Sequence, residues 1–416
     1  NAIKERLTEL WNFPKEGAPT KKGDWYYFSK NDGLQNQSVI YRRRSLEDAP
    51  EIFIDPNTLS EDGTVALGDM SFTKDGKYCA YTTSASGSDW VEIHVLDSES
   101  KQLLKDKISW VKFSGAIWAP DGKGFYYSAY DAPKSNAYSS KNEFQKVYYH
   151  RLGTEQSADQ LIYHDPKHPL RYFHGWQSDD SRWIFISGSE GTSGSEILYK
   201  RANEKNFRVL LKGFDYDYGI VECEDDKLYV MTNEGAENYH LIAIDLKNPS
   251  QREVVIAEKE CLLEGVGSAG GYLTAIYLED AQNKVYQYEL DGSLIREVAL
   301  PGIGTVSGFG GEKEDTELYY SITTFTSPTT IYSFDVKSGE SKLYLRPEVA
   351  FNPEDFTTEQ IFFESKDGTR VPMFVSYKKG LKLNGKNPCY LYGYGGFQIN
   401  LTPSFNPTSI MFMEQG

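Results

Sequence analysis

Cysteine is scarce in this chain. Cys79, Cys223, Cys261 and Cys389 stand far apart, so no Cys-x-x-Cys zinc or redox motif exists, and buried free thiols in a reducing compartment are expected. The six histidines are equally dispersed; His164 and His168 lie four apart, but Asp165-Pro166 intervenes and Pro169 follows, which excludes a metal-binding helix there. No metal and no organic cofactor is expected. Basic residues are outnumbered, 44 Lys and Arg against 60 Asp and Glu, for a formal charge of −16. That field repels phosphate backbones and anionic lipid, so nucleic acid and membrane surfaces are not expected partners. No run of 18 apolar residues is present to span a bilayer. No signal peptide is legible and no initiator Met opens the chain, so Asn1 is not read as the start of a gene.

Aromatic residues, in contrast, are abundant: 30 Tyr and 22 Phe in 416 residues. Such side chains suit pleated, half-buried strands. They recur in a pattern, a short polar turn followed by an aromatic or β-branched run. Lys22-Gly23-Asp24 precedes Trp25–Phe28, Asp75-Gly76-Lys77 precedes Tyr78–Tyr81, and Asp121–Gly124 precedes Phe125–Tyr127. Asp179–Arg182 precedes Trp183–Ile186, Asp225–Lys227 precedes Leu228–Val230, Gly270-Gly271 precedes Tyr272–Thr274, and Glu314–Glu317 precedes Leu318–Tyr320. From Gly23 through Gly76, Gly122, Ser181, Asp226 and Gly271 to Thr316, the gaps are 53, 46, 59, 45, 45 and 45 residues. A second strand follows in most units, as in Val91–Val95, Val147–Tyr149, Ile197–Tyr199, Leu241–Ile244 and Ile331–Phe334. A two-sheet sandwich has no reason to keep units of near-constant length, whereas propeller blades run to about 40–50 residues. The pattern predicts an all-β, seven-bladed β-propeller over residues 12–349.

The two ends depart from that pattern. Ile3, Leu7, Leu10 and Trp11 share one helical stripe, and a helix over residues 1–11 is too short to stand alone, so it must dock. Gln360–Phe363 and Val371–Val375 flank a Lys366-Asp367-Gly368-Thr369 turn and read as a hairpin. Pro388–Tyr392 reads as a buried strand running into the glycine-rich loop Gly393–Phe397, as at the edge of an α/β sheet. Residues 350–416 are too few for a whole domain and are expected to be an incomplete α/β-hydrolase domain fragment.

These residues carry a resemblance. Gly33–Gln37, Leu59–Leu67 (LSEDGTVAL), Ser84–Trp90 (SASGSDW), Val111–Ser114, Ser365–Phe374 (SKDGTRVPMF) and Leu391–Phe397 (LYGYGGF) look like the prolyl oligopeptidase family, nearly along the whole chain. The last two segments together are specific; the sister oligopeptidase B group does not usually keep Gly-Gly-Phe after the second Tyr. The resemblance implies a serine peptidase that caps an α/β-hydrolase domain with a propeller and cleaves short peptides after proline. Its propeller would act as a size filter, admitting only flexible segments. The resemblance further implies that the Tyr394 hydroxyl helps form the oxyanion hole, a role a phenol on a glycine-flanked loop can fill. Phe397 matches an aromatic lining the proline (S1) pocket, and Phe113, Tyr172 and Thr192 match positions lining the next apolar subsite (S3). Tyr172 and Thr192 replace a thioether and a thiol, so the subsite preference is open. For all five the alternative is ordinary packing.

The triad itself is not found. No complete Gly-x-Ser-x-Gly occurs, Ser88, Ser189, Ser193 and Ser268 fall in turns of the repeats, and none of the histidines lies beyond residue 350. In the family the nucleophile, Asp and His come later than Tyr394, so the chain is expected to stop before the triad and to be inactive by itself. Its expected partners are short proline-containing peptides and the remainder of its own hydrolase domain, in a cytoplasmic (or periplasmic) monomer. The competing reading is a non-enzymatic propeller that binds peptides or a protein.

Overall fold

A computed structural model describes residues 2–133, 141–396 and 399–416. Strands dominate, and the chain divides into two compact units: Thr20–Phe28 with Asn36–Ala257, and Asn1–Pro19 with Ser29–Gln35 and Glu258–Gly416.

In the unit built on residues 36–257, each polar turn seen in the sequence is the hairpin before an aromatic strand. Strands Val65–Phe72, Tyr78–Ala85, Trp90–Asp97 and Leu103–Lys112 form one antiparallel meander; Ile117–Trp118, Gly124–Ala129, Lys146–Arg151 and Gln160–His164 form the next. The two are joined into one eight-stranded sheet through the pair Val111 and Ala129. Four-stranded meanders follow over Tyr172–Leu211 and Tyr218–Ile256.

Each meander is apolar on both faces and buries them against its neighbours. Tyr27, Phe53, Cys79, Tyr81 and Leu96 make one such layer; Ile93, Ile108, Phe125 and Tyr127 make the next; Trp183, Phe185, Leu228, Val230 and Ile244 make a third. Successive turns also interlock. Gly23 and Gly76 both have positive φ, and a Cβ on Gly23 would lie 2.6 Å from the Asp75 carbonyl oxygen, so glycine serves both conformation and close approach. Two repeats further on, Arg182 reaches Asp225 and Asp226, and the Trp183 indole N–H donates to Asp226 at 3.1 Å.

One polar group sits in the seam of the eight-stranded sheet. His150 is wholly buried, with Nε2 2.9 Å from Asp106 and Nδ1 2.7 Å from Asp159. Asp159 also accepts from the Tyr127 hydroxyl at 2.6 Å, and Asp106 accepts from the Gly153 amide at 2.6 Å. Carboxylates only accept, so an imidazole between two of them is held as the doubly protonated cation.

The other unit carries four-stranded meanders over Leu262–Glu297 and Thr305–Glu317 onward to Leu345, with Ala269, Val285, Phe309, Tyr320 and Phe334 packed between them. The hairpin expected after residue 350 is present as Phe356–Glu364 paired with Arg370–Lys378. Helix α1 (Ala2–Trp11) docks, as anticipated, but with only part of its stripe. Leu7 and Leu10 pack with Phe356, Ile410 and Met411, whereas Ile3 and Trp11 are exposed. Its partner is helix α2 (Pro407–Glu414), which begins on an Asn406 cap accepting from the Thr408 amide. Arg6 joins the two helices by paired bonds to Glu414 at 2.9 and 2.5 Å.

One expectation fails. Pro388–Tyr392 is neither a strand nor buried: Tyr390, Leu391 and Tyr392 are all exposed in irregular backbone. A strand exists only with a lateral hydrogen-bonding partner, and no described strand pairs with this segment. Tyr390 instead stacks on Tyr392 and Phe412.

Candidate functional site

Two of the five anticipated site residues meet. Phe113 follows the strand Leu103–Lys112, and Tyr172 opens the strand Tyr172–Gln177 of a different meander. Their rings contact edge to face, centroids 5.6 Å apart at 81°, a favoured quadrupolar arrangement. Phe113 remains 49% exposed, so the pair is not core. Thr192 is exposed on the loop after the strand Trp183–Ser189, whose last residue pairs with Tyr172. The structure gives no contact of Thr192 with the two rings. Tyr394 belongs to the other unit and is 50% exposed in irregular backbone, with open space where Gly393 and Gly395 lack a Cβ. Phe397 lies outside the described residues.

Sequence reasoning missed what holds the Thr192 loop. Arg171, next to Tyr172, donates to Glu190 at 2.8 Å and to Glu196 at 3.4 Å, clasping both ends of the loop. Its other contacts are Asp165 at 3.3 Å and the face of Phe214. Burial pushes the Glu196 carboxyl up, against the pull of Arg171. Burial would also raise Asp165, but the His168 ring, the Lys167 amide and Arg171 hold it below the usual carboxylate range. Inside the clasp, the Gly194 amide donates to Asp217 at 2.7 Å and the Ser195 amide to the Tyr216 carbonyl at 2.9 Å. Arg171→Ala should therefore free the loop: amide exchange over residues 190–196 should quicken about tenfold while the strand Trp183–Ser189 keeps its protection. Unchanged exchange would show that the glycine anchor alone suffices. A charged residue one before an aromatic strand, with acids on either side of a Gly-Thr-Ser-Gly loop, was the available signal.

A second aromatic group adjoins Phe113 and Tyr172. Trp90 meets both Trp110 (5.8 Å) and Tyr130 (6.0 Å) at near-right angles. The Lys112 ammonium lies 5.3 Å over Trp90 and 5.2 Å over Phe113, paired with Asp89 at 3.3 Å. Burial, and then the charge of the Tyr172 phenol, push Tyr130 up to about 12.

Four-stranded antiparallel meanders packed face to face are the repeating unit of a β-propeller. The model of the prolyl oligopeptidase N-terminal β-propeller domain matches residues 1–347, and the chain belongs to that family. It is 44% identical over 418 residues to the prolyl endopeptidase of Elizabethkingia meningoseptica, covering 100% of this chain and 59% of that protein. Prolyl oligopeptidase A of Galerina marginata is 33% identical, with 97% and 60% covered. Among solved structures, prolyl oligopeptidase B of Galerina marginata bound to a 35mer hydrolysis and macrocyclization substrate superposes with a TM-score of 0.93 at 29% identity, covering 100% of this chain and 62% of that one. The chain thus spans about three fifths of the length of these relatives.

Proposed function

We propose that this chain is the substrate-gating portion of a serine-type prolyl oligopeptidase: a seven-bladed propeller over residues 12–349, with helix 1–11 and residues 350–416 belonging to an α/β-hydrolase domain. The observation that carries the reading is the half-exposed ring pair of Phe113 and Tyr172, set at strand ends in a chain whose relatives are prolyl endopeptidases. Seven aromatic hairpins, the eight-stranded sheet counted as two blades, support the blade number. In this reading Phe113, Tyr172 and Thr192 receive an apolar residue of a proline-containing peptide, Phe397 lines the proline pocket, and Tyr394 donates to the developing oxyanion. The four thiols stand unpaired, which suits a cytoplasmic setting, and the chain is taken as a monomer.

The chemistry needs an activated nucleophile with a base in hydrogen-bond reach. The 416 residues contain no Gly-x-Ser-x-Gly. The one buried histidine held by carboxylates, His150, has both ring nitrogens committed to Asp106 and Asp159, leaving none to accept a proton from a serine. The purified chain should therefore release no product from a Gly-Pro reporter amide above the buffer rate. Turnover that a serine-directed phosphonate abolishes would overturn the inactivity, and with it the assignment of the catalytic residues outside these 416.

A further inference from the structure

We propose that Trp110, supported by Trp90, Tyr130 and Lys112, extends the Phe113–Tyr172 subsite into an aromatic trough for the substrate residues upstream of the one those two rings receive, and that it selects proline- and aromatic-rich segments there. The proposal rests on the peptide-lining reading of Phe113 and Tyr172.

Trp110 has φ +60 and Phe113 has φ +56. The left-handed region is an outlier for bulky side chains and persists only where the surroundings impose it. Here the imposing contact is visible: the Tyr130 amide donates to the Trp110 carbonyl at 3.0 Å, beside the single pair that joins the two meanders. A Trp bent in this way would ordinarily be repaid by burial, yet Trp110 is 37% exposed. Two strained, exposed aromatics three residues apart thus border one surface, and the Lys112 ammonium bridges them by way of Trp90. Trp110 and Phe113 both keep exposed ring surface, and aromatic rings stack well on pyrrolidine and on other aromatics. A peptide long enough to use them is in keeping with prolyl oligopeptidase B of Galerina marginata, solved bound to 35mer and 25mer substrates.

Calorimetric titration of the purified chain with two blocked heptapeptides tests this. One is Ac-Phe-Pro-Phe-Pro-Ala-Gly-Pro-NH2; the other has Gly-Ser-Gly-Ser in place of its first four residues. Wild type should bind the first about tenfold more tightly. Trp110→Gly suits the left-handed backbone, so it should melt within about 3 °C of wild type while losing that preference. Trp110→Tyr should keep affinity within about threefold. A structural Trp behaves oppositely: its glycine variant would melt far earlier, and that outcome overturns the proposal. So does an unchanged preference in Trp110→Gly when Phe113→Ala weakens both peptides, although the peptide-lining reading then stands. If wild type binds neither peptide, that reading fails and the trough with it.

Discussion

Replacing His150 with leucine should cost the fold about 3–5 kcal/mol, because it strips the cation from two buried carboxylates and leaves them facing one another. Asp106 comes from the strand Leu103–Lys112 and Asp159 from the turn before Gln160–His164, so the imidazolium ties together two meanders whose strands join at the pair Val111 and Ala129. A loss of that size is a large part of the 5–15 kcal/mol that usually separates folded from unfolded chains. Urea unfolding at pH 6 should show a markedly lower midpoint for His150→Leu. Adding Asp159→Asn to the leucine variant should recover part of the loss, since one buried charge is then removed, although Tyr127 still needs its acceptor. A variant within about 1 kcal/mol of wild type would contradict a cation held between the two buried carboxylates.

The same group sets a pH dependence. Burial alone would lower the His150 pKa, but the hydrogen bonds and charges of Asp159 and Asp106 outweigh it and raise it above the ordinary value. The other ionisable groups at the cluster are Tyr127, whose phenol burial and the Asp159 hydrogen bond push up, and Tyr148, raised chiefly by burial. A histidine whose folded pKa lies above its unfolded value of about 6.5 stabilises fully below that pH. The contribution fades as the pH climbs through the raised folded value. The gap between wild type and His150→Leu should thus be widest near pH 5–6.5 and narrow on the alkaline side. A gap that widens with alkalinity would contradict a cationic His150.

How much of this was readable from the residues depends on how local its cause is. The aromatic hairpins were, since a tight turn needs Gly, Asp or Asn and the strand after it needs apolar residues within the same dozen positions. Helix α1 was too, though not which half of its stripe would be covered: Ile3 and Leu10 look alike in sequence, and only α2 tells them apart. Helix α2 is eight residues long, marked only by Asn406-Pro407, and passed unnoticed. Pro388–Tyr392 misled because apolar composition reports what a segment could bury, not whether a partner strand lies beside it. Phe113 and Tyr172 are each reached from the family resemblance, but their ring contact is not, because no periodicity links residues of separate meanders. The Trp110 bend escaped altogether, for a left-handed residue inside a strand leaves no mark in alternation.

Gly194→Ala should be the most damaging single-methyl change near the candidate subsite. Gly194 has φ +78, which costs an alanine about 1–2 kcal/mol. Its Cβ would also clash with the Phe214 carbonyl oxygen, a backbone atom that cannot rotate away. Overpacking of that kind adds about 1–3 kcal/mol. The strain has to move either the Asp217 anchor or the loop carrying Thr192, and the loop is the exposed and less constrained of the two. Cleavage by a nonspecific protease between residues 190 and 195 should appear in the alanine variant and be absent in wild type, with a lower melting temperature. Thr192→Val, which keeps volume and removes only the hydroxyl, should leave the melting temperature within about 1 °C, as exposed substitutions do. Peptide affinity then separates the two roles of Thr192. If it lines the subsite, both variants alter binding; if the loop merely packs, only Gly194→Ala does, and Thr192 drops out of the site while Phe113 and Tyr172 remain.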